Sequence, residues 1–213
     1  MELTMIHELK PLEPLLQQKN NIQLHPEIIE ILFENRRYIK NIFSDLNGLY
    51  DIAHIGLTCI DPSNECIVFS TTPNVEYNLI SQNLWEYDHC FYPDPVEKNT
   101  LLWWDDGLEK IAKIKLENNQ FTLGMSIVRP VDDFCFIYSF ATKETYQDFR
   151  RYYSDHLFHL IDIGDYFYKS IRSLYATYNT NYPLPTLSQF NSKEAGRNIR
   201  SCLRLVKNIN KIR

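Results

Sequence analysis

Two patterns of apolar residues alternate along the chain, one with the spacing of helices and one with the composition of β-strands. Apolar residues recur at steps of three and four in residues 26–46 and 146–178, which predicts two helices with one buried face each. Two hairpins are predicted at residues 49–72 and 121–142, where β-branched and apolar runs flank short polar turns. Helices placed around hairpins must cover the faces of an antiparallel sheet.

The elements between the hairpins are shorter. A helix is predicted over residues 74–88, a short strand over 101–104, and a second helix from Asp105 or Asp106 to about residue 117. The first of these helices has a thin apolar face, so we expect it to cover a cavity. The helix at 146–178 has a much stronger stripe, formed by Phe149, Tyr153, Leu157, Leu160, Gly164, Phe167, Ile171 and Leu174.

This order of elements predicts an α+β domain, layered α–β–α, with a mostly antiparallel sheet of about four to six strands flanked by helices. We divide the chain into an N-terminal arm (1–25), the layered domain (26–178), and a linker with a basic tail (179–213). Prolines in the linker end the long helix, and a short helix is a candidate over 197–208.

The segment from Trp85 to Asp106 holds all three tryptophans of the chain, and Pro93 and Pro95 prevent it from forming one long helix. Irregular, aromatic-rich chain between two hairpins could line a pocket for a small molecule. It could equally be ordinary core packing, since aromatic side chains are commonly buried for that reason alone.

Composition indicates a soluble globular protein, with 44% hydrophobic and 23% charged residues. No apolar run approaches the ~18 residues needed to span a bilayer, and the N-terminus lacks the apolar stretch of a signal peptide. The five cysteines, odd in number and without a CxxC pair, favour free thiols in a reducing compartment. We therefore expect a cytoplasmic protein with no contact to membranes.

Charge is unevenly distributed. From Pro183 onward the chain carries seven of its 22 basic residues but only one of its 27 acidic residues, Glu194. The acidic remainder would repel nucleic acid, so only the tail could attract it.

Catalytic motifs are missing from the sequence: there is no glycine-rich phosphate loop, no GxSxG and no HExxH. His156 and His159 could present two metal ligands on one helical face, but partly exposed histidines explain them as well. The run Asp88-His89-Cys90 has ligand-type residues, although we do not expect adjacent side chains to face one point. We predict no enzyme activity, no metal and no cofactor.

Three stretches resemble the N-terminal sensory domain of LuxR-type transcription regulators, with the closest likeness to a PAS-like subgroup. They are FSDLNGLYDIAHIGLTCIDPSNECIVFSTTP, the WEYDHCFYPDPV linker, and FTLGMSIVRPVDDFCFIYSFATKE before the long helix. The likeness covers about residues 26–175. It implies a domain that binds a small apolar or amphipathic signal and acts on transcription.

The resemblance also implies a ligand site. Asp94-Pro95 matches the family's Asp-Pro step, and Tyr77, Trp85 and Tyr87 precede it as the family's aromatics do. Ser81 stands where the family carries a Trp, and Trp85 where a Tyr is more usual. With the position of the aromatic segment added, the predicted pocket walls are Tyr77, Trp85, Tyr87, Trp103 and Trp104, and the predicted polar anchor is Asp94.

A LuxR-type regulator ends in a helix-turn-helix, but the 31 residues after Tyr182 resemble at most its first helix. We therefore expect no sequence-specific DNA binding by this chain alone. An unrecognised enzyme is a third alternative that rests on no specific motif, and two other functions remain open. One is a ligand-sensing regulator, and the other is an interaction module that pairs with itself or with a related regulator as a homodimer or heterodimer, without a ligand of its own.

Overall fold

The computed structural model describes residues 22–46, 48–91, 101–145 and 148–187. The strands are β1 (Gln23–Leu24), β2 (His54–Ile60), β3 (Glu65–Ser70), β4 (Leu101–Trp103), β5 (Leu123–Val131) and β6 (Phe134–Thr142). The helices are α1 (Ile28–Glu34), α2 (Arg36–Ser44), α3 (Asn74–Ser81), α4 (Glu109–Lys115), α5 (Phe149–Asp155) and α6 (Leu157–Tyr178). Short 3₁₀ turns occupy Trp85–Tyr87, His89–Phe91, Trp104–Asp106 and Glu117–Asn119.

The strands described here form one six-stranded sheet in the order β1-β3-β2-β6-β5-β4. Both predicted hairpins are present, and β2 pairs with β6 to join them at the centre of the sheet. Every pairing is antiparallel except that of β1 with β3. The predicted α–β–α layering and mostly antiparallel sheet are confirmed. β1 adds a strand from residues that we assigned to the N-terminal arm.

Side chains alternate between the two sides of the sheet, as the pleat of a strand requires. On one side, Leu57, Cys59, Phe136, Tyr138 and Phe140 belong to a continuous apolar core with residues of α2, α5 and α6. We call this side the α6 face. The other side lies under α1, α3 and α4, and we call it the α3–α4 face.

The long helix predicted over residues 146–178 is two helices in the structure, because His156 interrupts it. The backbone of His156 is non-helical (φ −106°, ψ 15°), and its Nδ1 lies 2.8 Å from the Tyr152 carbonyl oxygen. Beyond this break the predicted stripe is largely correct, since Leu160, Phe167 and Ile171 have no exposed surface. None of the described helices is both long and apolar enough to cross a membrane.

Gly164 allows α6 to lie directly on the sheet. A Cβ at this position would lie 2.2 Å from the ring of Tyr138, so no larger residue fits without displacement. The Tyr138 hydroxyl donates to Asp165 Oδ1 at 2.7 Å, and Arg129 pairs with the other oxygen of Asp165 at 3.0 Å. These contacts hold the helix at a fixed height over β5 and β6.

The remaining predicted helices are also shorter than the sequence indicated. The helix predicted over 26–46 divides at Asn35, whose side chain donates to Ile31 O and Tyr178 OH. The helix predicted over 74–88 ends at Ser81, and Asn83 then takes a left-handed conformation (φ 54°). Asp105 and Asp106 lie in a 3₁₀ turn, so they do not cap α4, which begins at Glu109.

Phe167→Ala should destabilise the protein by about 3–5 kcal/mol, because it removes a ring that is fully enclosed in the core of the α6 face. Phe158 is the matched control on the same helix, since 80% of its surface is exposed. Phe158→Ala should change stability by less than about 0.5 kcal/mol. Urea unfolding monitored by circular dichroism measures both, and equal effects would contradict the assignment of the buried face.

Candidate functional site

The α3–α4 face differs from the α6 face because its apolar residues do not form one core. They divide into three smaller clusters, centred on Val68 near α1, on Trp104, and on Trp85 with α4. Polar side chains of the central strands point toward this face, among them His54, Thr58 and Ser126, all of them buried. Buried polar groups in this number require partners, so this face is the place to look for a site.

Five short elements cover this face: α3, α4 and the turns Trp85–Tyr87, His89–Phe91 and Trp104–Asp106. We call them the cover. Each contributes one or two apolar anchors, such as Leu79, Trp85, Trp104 and Ile111. The cover therefore lies on the sheet through separate contacts, in contrast to the single long stripe of α6.

A cavity of about 20 Å³ lies between the sheet and the cover. That volume holds about one water molecule, and no larger ligand. Its lining is mixed in polarity. The cavity is lined by Thr58, Ile137 and Ser139 of the sheet, by Val75, Glu76, Leu79, Cys90, Phe91, Trp104 and Lys115 of the cover, and by Asp88 between two turns of the cover.

Asp88 and Lys115 form a buried ion pair at one side of the cavity. Lys115 Nζ donates to Asp88 Oδ2 at 2.7 Å, and both side chains are almost fully enclosed. Burial alone would raise the pKa of Asp88, but the Lys115 ammonium and the hydrogen bonds to Asp88 hold that pKa below its ordinary value. Burial would likewise lower the pKa of Lys115, and the Asp88 carboxylate raises it instead. Both groups are therefore charged.

Trp104 closes the cavity next to this pair. Its indole Nε1 donates to Ser126 Oγ at 3.0 Å, and Ser126 Oγ lies 3.1 Å from Ser139 Oγ on the neighbouring strand. The Lys115 ammonium lies 4.6 Å from the centre of the indole ring, within the range of a cation–π interaction. Gly124 leaves room for the ring, since a Cβ there would lie 2.1 Å from it.

His54 and Glu76 form the least satisfied part of the site. His54 Nε2 lies 3.9 Å from Glu76 Oε1, which is too far for a hydrogen bond. Within the described part of the chain, neither nitrogen of His54 has a hydrogen-bond partner, and neither does Glu76 Oε2. Burial lowers the pKa of His54 to about 3 and raises the pKa of Glu76 to about 7. His54 is therefore neutral at pH 7.

Both side chains converge above Gly56. A Cβ on Gly56 would lie 3.3 Å from both His54 Nε2 and Glu76 Oε1, and 3.5 Å from the Cβ of Ser139. The missing side chain at Gly56 thus leaves a small space between two polar groups, beside a residue that lines the cavity.

Asp88, His89 and Cys90 do bring their ligand-type atoms within 4.8 Å of one another, contrary to our expectation for adjacent residues. The 3₁₀ turn at His89–Phe91 folds them together. Their chemistry does not fit a cation site, because the Lys115 ammonium already pairs with Asp88.

The residues predicted to line a pocket are dispersed in the structure. Trp104 lines the cavity, while Trp85 is buried one layer away, with its ring edge-on to Phe91 at 6.3 Å. Tyr77 and Tyr87 are 38% and 47% exposed, outside the cavity lining. Trp103 faces the other side of the sheet, where it packs on the core of the α6 face under the Arg150 guanidinium. Asp94 lies outside the described residues.

Sequence reasoning missed the polar residues of the site, although two of them left a signal. Lys115 falls on the apolar stripe of α4, four residues after Ile111 and next to Ile114. Asp88 ends the segment that we predicted as one helix. A charge on a buried helical face implies an opposite charge nearby, so the pair could have been inferred. Nothing in the sequence indicated that His54 and Glu76 would meet.

No family model matches the chain, and no curated protein matches it. Solved structures do show similarity. SdiA in complex with octanoyl-rac-glycerol aligns with a TM-score of 0.50 and 13% identity, over 76% of this chain and 73% of that chain. The chain shares the α–β–α layered fold of this structure. A crystal structure of Escherichia coli SdiA aligns with a TM-score of 0.46 and 10% identity, over 76% and 74% of the two chains. The PAS-like character stays a prediction.

Lys115→Met should destabilise the protein by about 3–5 kcal/mol, because it leaves the Asp88 carboxylate buried without its partner. Lys113→Met is the control on the same helix, where Lys113 and Glu117 form a solvent-exposed pair at 3.9 Å. That change should cost less than about 1 kcal/mol. Adding Asp88→Asn to Lys115→Met should restore part of the stability in chemical denaturation, and a further loss would contradict the pairing.

Glu76→Gln should stabilise the protein in a pH-dependent manner. The pKa of Glu76 rises on folding from 4.5 to about 7, so the folded form binds this proton more tightly. The stability from that proton is complete below pH 4.5 and is lost as the pH rises toward 7. The unfolding free energy of the variant, relative to wild type, should therefore increase by about 3 kcal/mol across this window.

Unfolding at several pH values between about 4.5 and 8 measures this difference, and the exposed Glu86→Gln provides the control. His54 titrates in both proteins, so its own loss of stability toward acid cancels in the comparison. Parallel pH curves for wild type and Glu76→Gln would show that Glu76 is not desolvated.

Proposed function

We propose that this domain is the ligand-sensing part of a LuxR-type transcription regulator and binds a small apolar or amphipathic molecule on the α3–α4 face. The observation that carries the proposal is the contrast between the two sides of the sheet. The α6 face is closed by one apolar core, whereas the α3–α4 face combines a cavity with buried polar atoms that have no partner among the described residues. Such atoms cost stability unless something binds them.

The fold supports this choice of class. SdiA, a LuxR-type autoinducer-binding regulator, shares the fold and has been solved with octanoyl-rac-glycerol, an amphipathic molecule with an acyl chain and a glycerol head. A ligand of that kind has an apolar part for the three clusters of the α3–α4 face and a polar part for the groups between them. Trp104 is the wall that the site and our sequence prediction share, and Asp94 remains the predicted anchor.

A cavity of about 20 Å³ is far smaller than an acyl-glycerol, so binding requires that the cover move away from the sheet. The cover can do this at lower cost than α6, because it consists of two helices of eight and seven residues and turns of three residues each. A ligand that binds only the opened form would shift the population toward it. That shift is the physical basis of sensing.

The second candidate, a protein-interaction module, is favoured by a different surface. Phe158 is 80% exposed at the start of α6, beside a group of rings formed by Tyr50, Tyr152, His156 and His159. Exposed aromatic groups are common where proteins pair. If this surface is the functional one, Phe158→Ser should change the assembly state in native mass spectrometry, with no effect of any small molecule.

Octanoyl glycerol should raise the melting temperature of the full chain in a concentration-dependent manner. Saturation at about a hundredfold over Kd adds about 2.7 kcal/mol, which corresponds to roughly 5–10 °C for a domain of this size. Tryptophan fluorescence should change in parallel, because Trp85 and Trp104 belong to the cover. Ser139→Leu, which fills the cavity, should abolish the shift, whereas Phe158→Ala, at an exposed position on α6, should leave it intact.

The opposite result is clear-cut. If octanoyl glycerol, methyl octanoate, octanoate and octylammonium all produce no shift, the sensing function is contradicted and the interaction module is favoured.

A further inference from the structure

We propose that His54 and Glu76 form the polar end of the ligand site and bind a hydroxyl group of an uncharged ligand, so that the site rejects ligands with a carboxylate or ammonium head. The inference rests on the proposed function, and it names the chemical class of the ligand and two residues that select it.

His54 and Glu76 are enclosed next to the cavity, where a ligand atom can reach them. His54 has no exposed surface, and the Glu76 side chain is 10% exposed, so neither is solvated. Glu76 lines the cavity, and both side chains approach the space above Gly56, beside Ser139, which also lines it. A ligand atom that enters from the cavity therefore reaches Glu76 first and His54 next.

His54 and Glu76 carry hydrogen-bonding atoms that have no partner among the described residues. Neutral His54 has one N–H donor and one nitrogen acceptor, and both ring nitrogens lack partners within the described part of the chain. Glu76 Oε2 also lacks one, and it accepts when ionised or donates when protonated. A hydroxyl group both donates and accepts, so it can satisfy either form of Glu76 and either tautomer of His54.

The charges around the site favour a ligand whose head group is uncharged. Asp88 and Lys115 already neutralise each other at 2.7 Å, so the site has no spare cation for a carboxylate head. A carboxylate offers acceptors only and would also repel Glu76 when that group is ionised. An ammonium head gains from ionised Glu76, but it offers donors only, so it leaves the His54 N–H unmet, and it adds a second cation near the Lys115 ammonium. An uncharged hydroxyl avoids all of these penalties.

His54 and Glu76 reduce the stability of the ligand-free protein. The unmet hydrogen bonds of His54 and of Glu76 Oε2 destabilise the free protein, although Ser70 hydrogen-bonds to the Glu76 side chain, and apolar residues of similar shape should stabilise it. His54 lies between the rings of Trp104 and Phe121, at 5.7 and 5.6 Å, so phenylalanine would suit the same space. If apolar residues at these two positions do stabilise the free protein, then His54 and Glu76 have a role other than support of the fold.

The test compares four probes that share an eight-carbon chain, on the full-length protein, by thermal shift and tryptophan fluorescence. Octanoyl glycerol carries hydroxyls, methyl octanoate carries none, octanoate is anionic, and octylammonium is cationic. Octanoyl glycerol should bind about tenfold or more tightly than methyl octanoate, the equivalent of one ligand hydrogen bond. The two charged probes should bind more weakly still.

Variants then assign this preference to residues. His54→Phe and Glu76→Met should each raise the melting temperature of the free protein and yet weaken octanoyl glycerol about tenfold, while methyl octanoate binds as before. Glu76→Gln should retain the preference, since an amide also donates and accepts. Glu65→Met is the matched control. Glu65 Oε1 lies 4.0 Å from His25 Nε2, so the two form a similar pair, and neither residue lines the cavity.

Each other outcome overturns a stated part of the account. Equal binding of octanoyl glycerol and methyl octanoate, or unchanged binding to both variants, refutes the polar end but leaves the sensing function standing. Tighter binding of octanoate or octylammonium refutes the selection of an uncharged hydroxyl. If no probe binds wild type, the sensing function fails and this inference fails with it.

Discussion

The alternation of side chains along β2, β5 and β6 determines the character of both faces of the sheet. One set of alternate positions carries Leu57, Tyr138 and other apolar residues, and it places them on the α6 face. The other set carries Gly56, Ser126 and Ser139, which lie on the α3–α4 face. Because the period of a strand is two residues, the same three strands build a continuous core on one side and a polar floor on the other.

The polar floor determines what can lie above it. Part of this face is paired: Trp104 of the cover bonds to Ser126 of the floor, and Lys115 of the cover pairs with Asp88, which lies between two turns of the cover. Buried groups paired in this way hold the short elements of the cover in one arrangement. His54 and Glu76 are the exception, and their unmet hydrogen bonds reduce the stability of the closed form. The same face thus contains both the contacts that close the cover and a reason for it to open.

The sequence predicted what depends on local pattern. Both hairpins, the layered architecture and the buried face of α6 follow from periodicity and turn residues, and these predictions are confirmed. Helix ends were less predictable, because the breaks at Asn35 and His156 depend on single side chains that bond to backbone or to distant residues.

The candidate site was predictable only in part. Trp104 follows from the aromatic segment, but Trp103 lies one residue away on the opposite face, and only the register of β4 with β5 distinguishes the two. His54 lies in β2 and Glu76 in α3, and the hairpin of β2 and β3 separates them in the sequence. They approach each other in the structure because Gly56 has no side chain between them. Contacts of this kind depend on tertiary geometry, which no local pattern contains.

If the proposed function is correct, ligand binding on the α3–α4 face moves the cover while the α6 face stays closed. Amide hydrogen exchange of the full chain, measured with and without octanoyl glycerol, tests this most directly. A ligand that stabilises the folded chain slows global opening everywhere, so opening of the cover is reported only by a change larger than this shared effect. We expect exchange in α3, in α4 and in the turn from Trp85 to Tyr87 to change by more than exchange in α6 and β6. An equal or larger change along α6, or no change anywhere, would contradict movement of the cover.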